Sequence, residues 1–181
     1  PGKITDTSNA DACSSCPAGK HATTEGSSTC STCPAGTFSQ AGAGGCTACD
    51  AGRTTFAEGS DSCESCPAGK TSGISNVTNT TVCVDCVAGR MSQAGAAECS
   101  LCEAGRFQSD SGKSSCDACA TGEYAPSEGS SSCLRCDSGK YQGGTGQFEC
   151  LACDLGKFIN VSGSDSCSSC PAGTYAPTEG S

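Results

Sequence analysis

Large apolar side chains are scarce in this sequence. Apart from cysteine and alanine, its 181 residues include only 21 hydrophobic ones, with no tryptophan and a single methionine, too few to fill one globular interior. No apolar run approaches the ~20 residues of a membrane span, so no membrane insertion is expected within the segment. Positive charge is thin as well. Ten Lys and Arg against 19 Asp and Glu leave a net charge of −9, which argues against nucleic acid or an anionic membrane as a partner. There is one histidine, His21, and no Ser/His/acid set or carboxylate pair stands out, so the chain lacks the material of a catalytic centre. Nor is there a dense oxygen cluster of the Asp-x-Asp-x-Asp-Gly kind for calcium. The sequence reads as a non-enzyme with no cofactor. It carries no signal-peptide pattern and no initiator methionine, and is expected to be a mature or trimmed piece.

What the chain has instead is cysteine, 20 residues of it, at a density that marks a disulfide scaffold and an oxidising compartment, hence secretion or the cell surface. Every cysteine belongs to a Cys-x-x-Cys pair. The first members stand at Cys13, Cys30, Cys46, Cys63, Cys83, Cys99, Cys116, Cys133, Cys150 and Cys167, in steps of 16 or 17 with one step of 20. Self-similarity at a fixed period indicates a repeat architecture in which each unit leans on its neighbours. The whole of 1–181 reads as one continuous array, cut in mid-repeat at both ends.

Two glycine slots recur in each repeat. Three residues after each second cysteine stands a glycine, from Gly19 to Gly173, and seven residues further on stands a second, such as Gly26, Gly59 or Gly129. Asn9 and Asn76 replace the second glycine in two repeats, while the 16-residue repeats shift it one place to Gly42 and Gly95. Glycine with asparagine as its substitute marks a backbone at positive φ, so each repeat is expected to turn twice. Two residues beyond the first glycine comes a bulky side chain: Ile4, His21, Phe38, Met91, Phe107, Tyr124, Tyr141, Phe158 or Tyr175. These read as packing residues over the local cysteines. Thr54 and Thr71 break the series, with Phe56 expected to stand in for Thr54.

The Cys-x-x-Cys pairs admit three chemistries. A bridge inside each pair would be a thioredoxin-type redox site, which ordinarily sits at a helix N-terminus, and the chain has no helical pattern. Zinc fits the spacing, since Cys-x2-Cys recurs 12 to 16 residues on, but the unbroken series offers no place where one four-cysteine site ends and the next begins. In the third reading the two neighbours serve different bridges.

The segments CPAGTFSQAGAGGC (33–46), CPAGK (16–20 and 66–70) and CPAGTY (170–175) resemble the ephrin-receptor-like cysteine-rich repeat, a relative of EGF-like and tumour-necrosis-factor-receptor modules. The resemblance covers the whole chain. It departs where proline is lost after the second cysteine, as in CDAGR, CVAGR and CEAGR, and at the three-residue insertion around 76–81. The resemblance implies small disulfide-rich repeats, an elongated rod of about ten loop or short β-hairpin units with essentially no helix. It also implies pairing of each second cysteine with the first cysteine of the next pair: Cys16–Cys30, Cys33–Cys46, Cys49–Cys63, Cys66–Cys83, Cys86–Cys99, Cys102–Cys116, Cys119–Cys133, Cys136–Cys150 and Cys153–Cys167. Cys13 and Cys170 are left to bridge to units outside the segment.

Eight of the ten basic residues directly follow the first glycine: Lys3, Lys20, Arg53, Lys70, Arg90, Arg106, Lys140 and Lys157. Acids sit at the tips, at Glu25, Glu58, Glu128 and Glu179, and before cysteines, at Asp61, Glu98, Glu149 and Asp165. Such rows are ordinarily a solvated surface; the sharper reading is complementary rows that align neighbouring molecules. Sequons at Asn76, Asn79 and Asn160 are expected to carry N-glycans, the first two on a tip loop. The expected role is a repeat segment of a secreted glycoprotein that assembles, with itself or with other filament subunits, into an extracellular filament or cell-surface appendage such as a flagellar hair. The alternative is the cysteine-rich stalk of a receptor or adhesin.

Overall fold

A computed structural model describes residues 1–5, 13–75 and 80–180. Among them there is no helix, and ten two-stranded antiparallel sheets follow one another along the chain. Most strands are two residues long. In one such hairpin, Lys20–His21 pairs with Ser31–Thr32, with Lys20 opposite Thr32 and His21 opposite Ser31. The longest hairpin follows from the insertion: Lys70–Ile74 pairs with Thr81–Asp85 over five residues, and Ser75 N–H donates to the Thr80 carbonyl at 2.9 Å. Asn9, Asn76 and Asn79 lie outside the described residues.

The local sequence accounts for the start of each hairpin. In Pro17-Ala18-Gly19-Lys20, proline pre-sets its own φ and glycine occupies the third turn position, where φ must be positive. Gly19 has φ +78°, and Lys20 N–H closes the turn on the Pro17 carbonyl at 3.1 Å. Cys33 N–H then returns to the Gly19 carbonyl at 2.9 Å, which seals the base of the hairpin. The tip glycine is also at positive φ, +79° at Gly26 and, in the shortened repeats, +77° at Gly42 and +74° at Gly95.

The described chain divides into two compact units, Pro1–Asp85 with Gln93–Glu98, and Cys86–Ser92 with Cys99–Ser181. Within each unit, isolated hairpins of this size would not persist in water; they are joined by backbone hydrogen bonds that skip along the series. In the first unit, Gly19 N–H donates to the Ser39 carbonyl of the next hairpin at 2.8 Å, and Gly59, the tip of the hairpin after that, donates to the Cys33 carbonyl at 2.8 Å. In the second unit, Gly122 donates to Gln142 at 2.7 Å and Gly163 to Cys136 at 2.8 Å. Each hairpin is thus tied to the next and to the next but one.

The enclosed positions are mostly small. Cys16, Cys33, Cys66, Cys86, Cys102, Cys119, Cys136 and Cys153, each the second of its pair, are essentially inaccessible. Beside them lie Ala22, Ser39, Thr55, Ser92, Gln108, Ala125, Gln142, Ile159 and Ala176, the residues one beyond the bulky slot. The bulky residues themselves are half-buried lids, from Ile4 to Phe158, because two strand residues cannot cover a ring on both faces. Tyr175 is 83% exposed, and among the described residues no strand pairs with its segment. Phe56 does not stand in for Thr54: it is 62% exposed, while Thr54 is itself fully buried. The Thr54 hydroxyl donates to the Thr81 carbonyl at 2.6 Å, so a short polar side chain satisfied by backbone fills the place a ring holds elsewhere.

Candidate functional site: the disulfide series

The structure holds nine bridges: Cys16–Cys30, Cys33–Cys46, Cys49–Cys63, Cys66–Cys83, Cys86–Cys99, Cys102–Cys116, Cys119–Cys133, Cys136–Cys150 and Cys153–Cys167. Their Cα atoms lie 5.6 to 5.8 Å apart, the ordinary span of a disulfide. The local cause is the short strand between paired cysteines. Residues such as Ser31–Thr32 run extended, which turns the flanking cysteines away from each other and toward different loops. Neither cysteine of a pair is joined to the other, so the thioredoxin-type arrangement is absent. Cys13, exposed, and Cys170, half-buried, carry no bridge.

Among the described residues one cluster has the residue types of a metal site: His21, Cys33 and Cys46, with Nδ1 and both Sγ atoms mutually within 4.8 Å. The two sulfurs are already bonded to each other, which leaves the imidazole as the single competent ligand. His21 Nδ1 lies 3.0 Å from Cys46 Sγ and 3.8 Å from Cys33 Sγ. The sequence placed His21 among the packing residues; its contact with both sulfurs of one bridge needed the fold. The signal available was the slot's fixed place, two residues past the first glycine.

The basic slot is partly used inside the hairpins. Arg53, Arg90 and Arg106 reach across to the carbonyls of Cys63, Cys99 and Cys116, which the long guanidinium fork allows. Lys70 pairs with Asp85 directly opposite on its hairpin at 2.7 Å. Glu123, which breaks the basic series, faces Arg135 at 3.8 Å, so the charges are exchanged across the hairpin. Lys20 and Lys140 are exposed, as are the tip acids Glu25, Glu58, Glu128 and Glu179. Asn160 is exposed on the loop that follows Lys157–Phe158. No helix among the described residues is long and apolar enough to cross a membrane.

Hairpins of about 17 residues, nine of the ten closed by a disulfide and stacked without helix, define a small disulfide-rich repeat protein. The family model described as tyrosine-protein kinase ephrin type A/B receptor-like matches residues 89–132 and 122–166. Residues 89–166 are thus similar to tandem ephrin-receptor-like cysteine-rich repeats, a cysteine-rich module of the extracellular kind. No curated protein shows a significant match to the chain.

Proposed function

We propose that the chain is a structural, non-catalytic segment of a secreted glycoprotein that assembles into an extracellular filament or cell-surface appendage. The observation that carries this reading is recurrence. The bond from a tip glycine to the cysteine carbonyl two hairpins earlier is repeated at Gly42, Gly59, Gly95, Gly112, Gly129, Gly146, Gly163 and Gly180. A backbone repeated in this way presents the same outward positions many times, with cations at the strand start and acids at the tip. Rows of opposite charge on two copies suit lateral association, where electrostatic complementarity sets register more than affinity. Cys13 and Cys170 bridge to adjoining repeats in this reading, which continues the covalent series.

Negative-stain electron microscopy of the native secreted material tests it. Long filaments of uniform width are expected, their lateral association loosened by about 0.5 M salt through screening of exposed charges; short single particles in all conditions would exclude assembly. The second reading, a receptor or adhesin stalk, draws on the receptor-like description of the matching family. A membrane span followed by a cytoplasmic domain in the flanking sequence would favour it.

Glycans are expected at Asn160 and at Asn76 and Asn79, or at one of the latter two because the acceptors are so close. Intact glycopeptide masses from native material read this out directly. All three sites bare, in a source that glycosylates asparagine, would count against secretion.

A further inference from the structure

We propose that Cys33–Cys46 is a thiol-reactive site, the member of the disulfide series that takes an external low-molecular-weight thiol into a mixed disulfide, with His21 stabilising the sulfurs as they exchange. His21 is the one histidine of the chain, and a single ring nitrogen reaches both atoms of the bridge, at 3.0 Å from Cys46 Sγ and 3.8 Å from Cys33 Sγ. The same slot holds Phe38, Met91, Phe107, Tyr124, Tyr141 or Phe158 in other hairpins, and none of these side chains can place a ring N–H donor on a sulfur. The other eight bridges therefore form a control series with the same backbone and no imidazole.

The two sulfurs differ in access. Cys33 is fully buried, whereas Cys46 is half-buried, so the incoming thiolate RS⁻ attacks Cys46 Sγ. A new RS–S bond forms at Cys46, the bond between Cys46 and Cys33 breaks, and the electron pair leaves on Cys33 Sγ as a thiolate. No net oxidation occurs, since one disulfide and one thiolate yield one disulfide and one thiolate. Negative charge is shared among attacking, central and leaving sulfurs in this displacement, and His21 lies against the last two. A proton on Nδ1 lowers the basicity of the departing thiolate, and a less basic thiolate leaves faster. The opened site stays framed by its neighbours, because Cys16–Cys30 and Cys49–Cys63 are separate bridges and Gly59 still bonds the Cys33 carbonyl. The Cys33 thiolate can then attack the mixed disulfide and restore the bridge.

The test is a short pulse of the oxidised chain with glutathione, acid quench, alkylation and site-resolved peptide mass spectrometry. Glutathione on Cys46 with an alkylated Cys33 is expected to accumulate about tenfold faster than opening of the mean of the other eight bridges, the scale of one charge-assisted hydrogen bond. His21→Phe installs the residue found at 38, 107 and 158, and should bring the Cys33–Cys46 rate into the range of the others while leaving those unchanged. In the second unit, Phe107→His should transfer the fast rate to Cys119–Cys133, the bridge that follows its hairpin. Equal rates at all nine bridges in the parent chain would overturn the proposal, as would a fast Cys33–Cys46 in His21→Phe. If His21→Phe loosens every bridge through misfolding, the Phe107→His variant decides: a rate at Cys119–Cys133 unchanged from the parent overturns the role of the imidazole, since a purely structural histidine confers no new reactivity there.

Discussion

Gly19→Ala is expected to destabilise the N-terminal unit by about 2 to 5 kcal/mol, the sum of a left-handed backbone carrying a Cβ and a steric conflict in a packed site. The Cβ would stand 1.9 Å from the Gly59 carbonyl oxygen and 2.4 Å from its carbon, so the tip two hairpins along must move, and its bond to Cys33 moves with it. Gly26→Ala is the matched comparison. Its φ of +79° is nearly the same as that of Gly19, yet nothing lies within 4 Å of the added Cβ, which leaves only the backbone cost of about 1 to 2 kcal/mol. Guanidinium unfolding of the oxidised variants gives the two values, and amide exchange at Gly59 locates the damage. Equal losses for the two variants would mean that the hairpins do not stack tip against turn.

Reduction is expected to abolish the fold outright, whereas chelation leaves it untouched. Each bridge closes a loop of 13 to 17 residues in sequence separation, worth about 3 kcal/mol in the chain-entropy model. Little else could hold the chain, because the enclosed side chains are mainly cysteine, alanine, serine and threonine and strands of two residues contribute few ladder bonds of their own. Full reduction with a dithiol should therefore erase amide protection in both units, while EDTA leaves protection and circular dichroism unchanged. Thiol titration of residues 1–181 produced alone, unreduced and denatured, should find two groups, Cys13 and Cys170, which bridge outward only where adjoining repeats are present. Stoichiometric zinc in purified material, or loss of protection on chelation, would restore the four-cysteine metal reading.

Much of this architecture is legible in sequence because it is local. The 17-residue period follows from counting cysteines, and absence of helix follows from absence of a 3.6-residue apolar pattern. The two turns follow from glycine with asparagine as its substitute, a preference written into a single residue's φ. In the same way the shortage of large apolar side chains determined that the chain would be a covalent repeat protein rather than a globule.

What the sequence could not supply is which small residue goes inside. Thr54, fully buried, and Phe56, mostly exposed, reverse the order that hydrophobicity suggests, because burial beside a disulfide depends on the space left by the next hairpin and on a carbonyl, that of Thr81, lying 27 residues away. The roles of Arg53, Arg90 and Arg106 as donors to cysteine carbonyls were likewise hidden, since a charged row looks the same whether it faces water or folds back on its own backbone. By itself the sequence determined the repeat, its turns and its class, all of which depend on residues close together in the chain. The contact of His21 with one bridge and the seating of tips on distant turn glycines, as of Gly59 on Gly19, were decided by tertiary structure alone, because both arise from stacking, which brings together backbone atoms that no spacing in the chain identifies as neighbours.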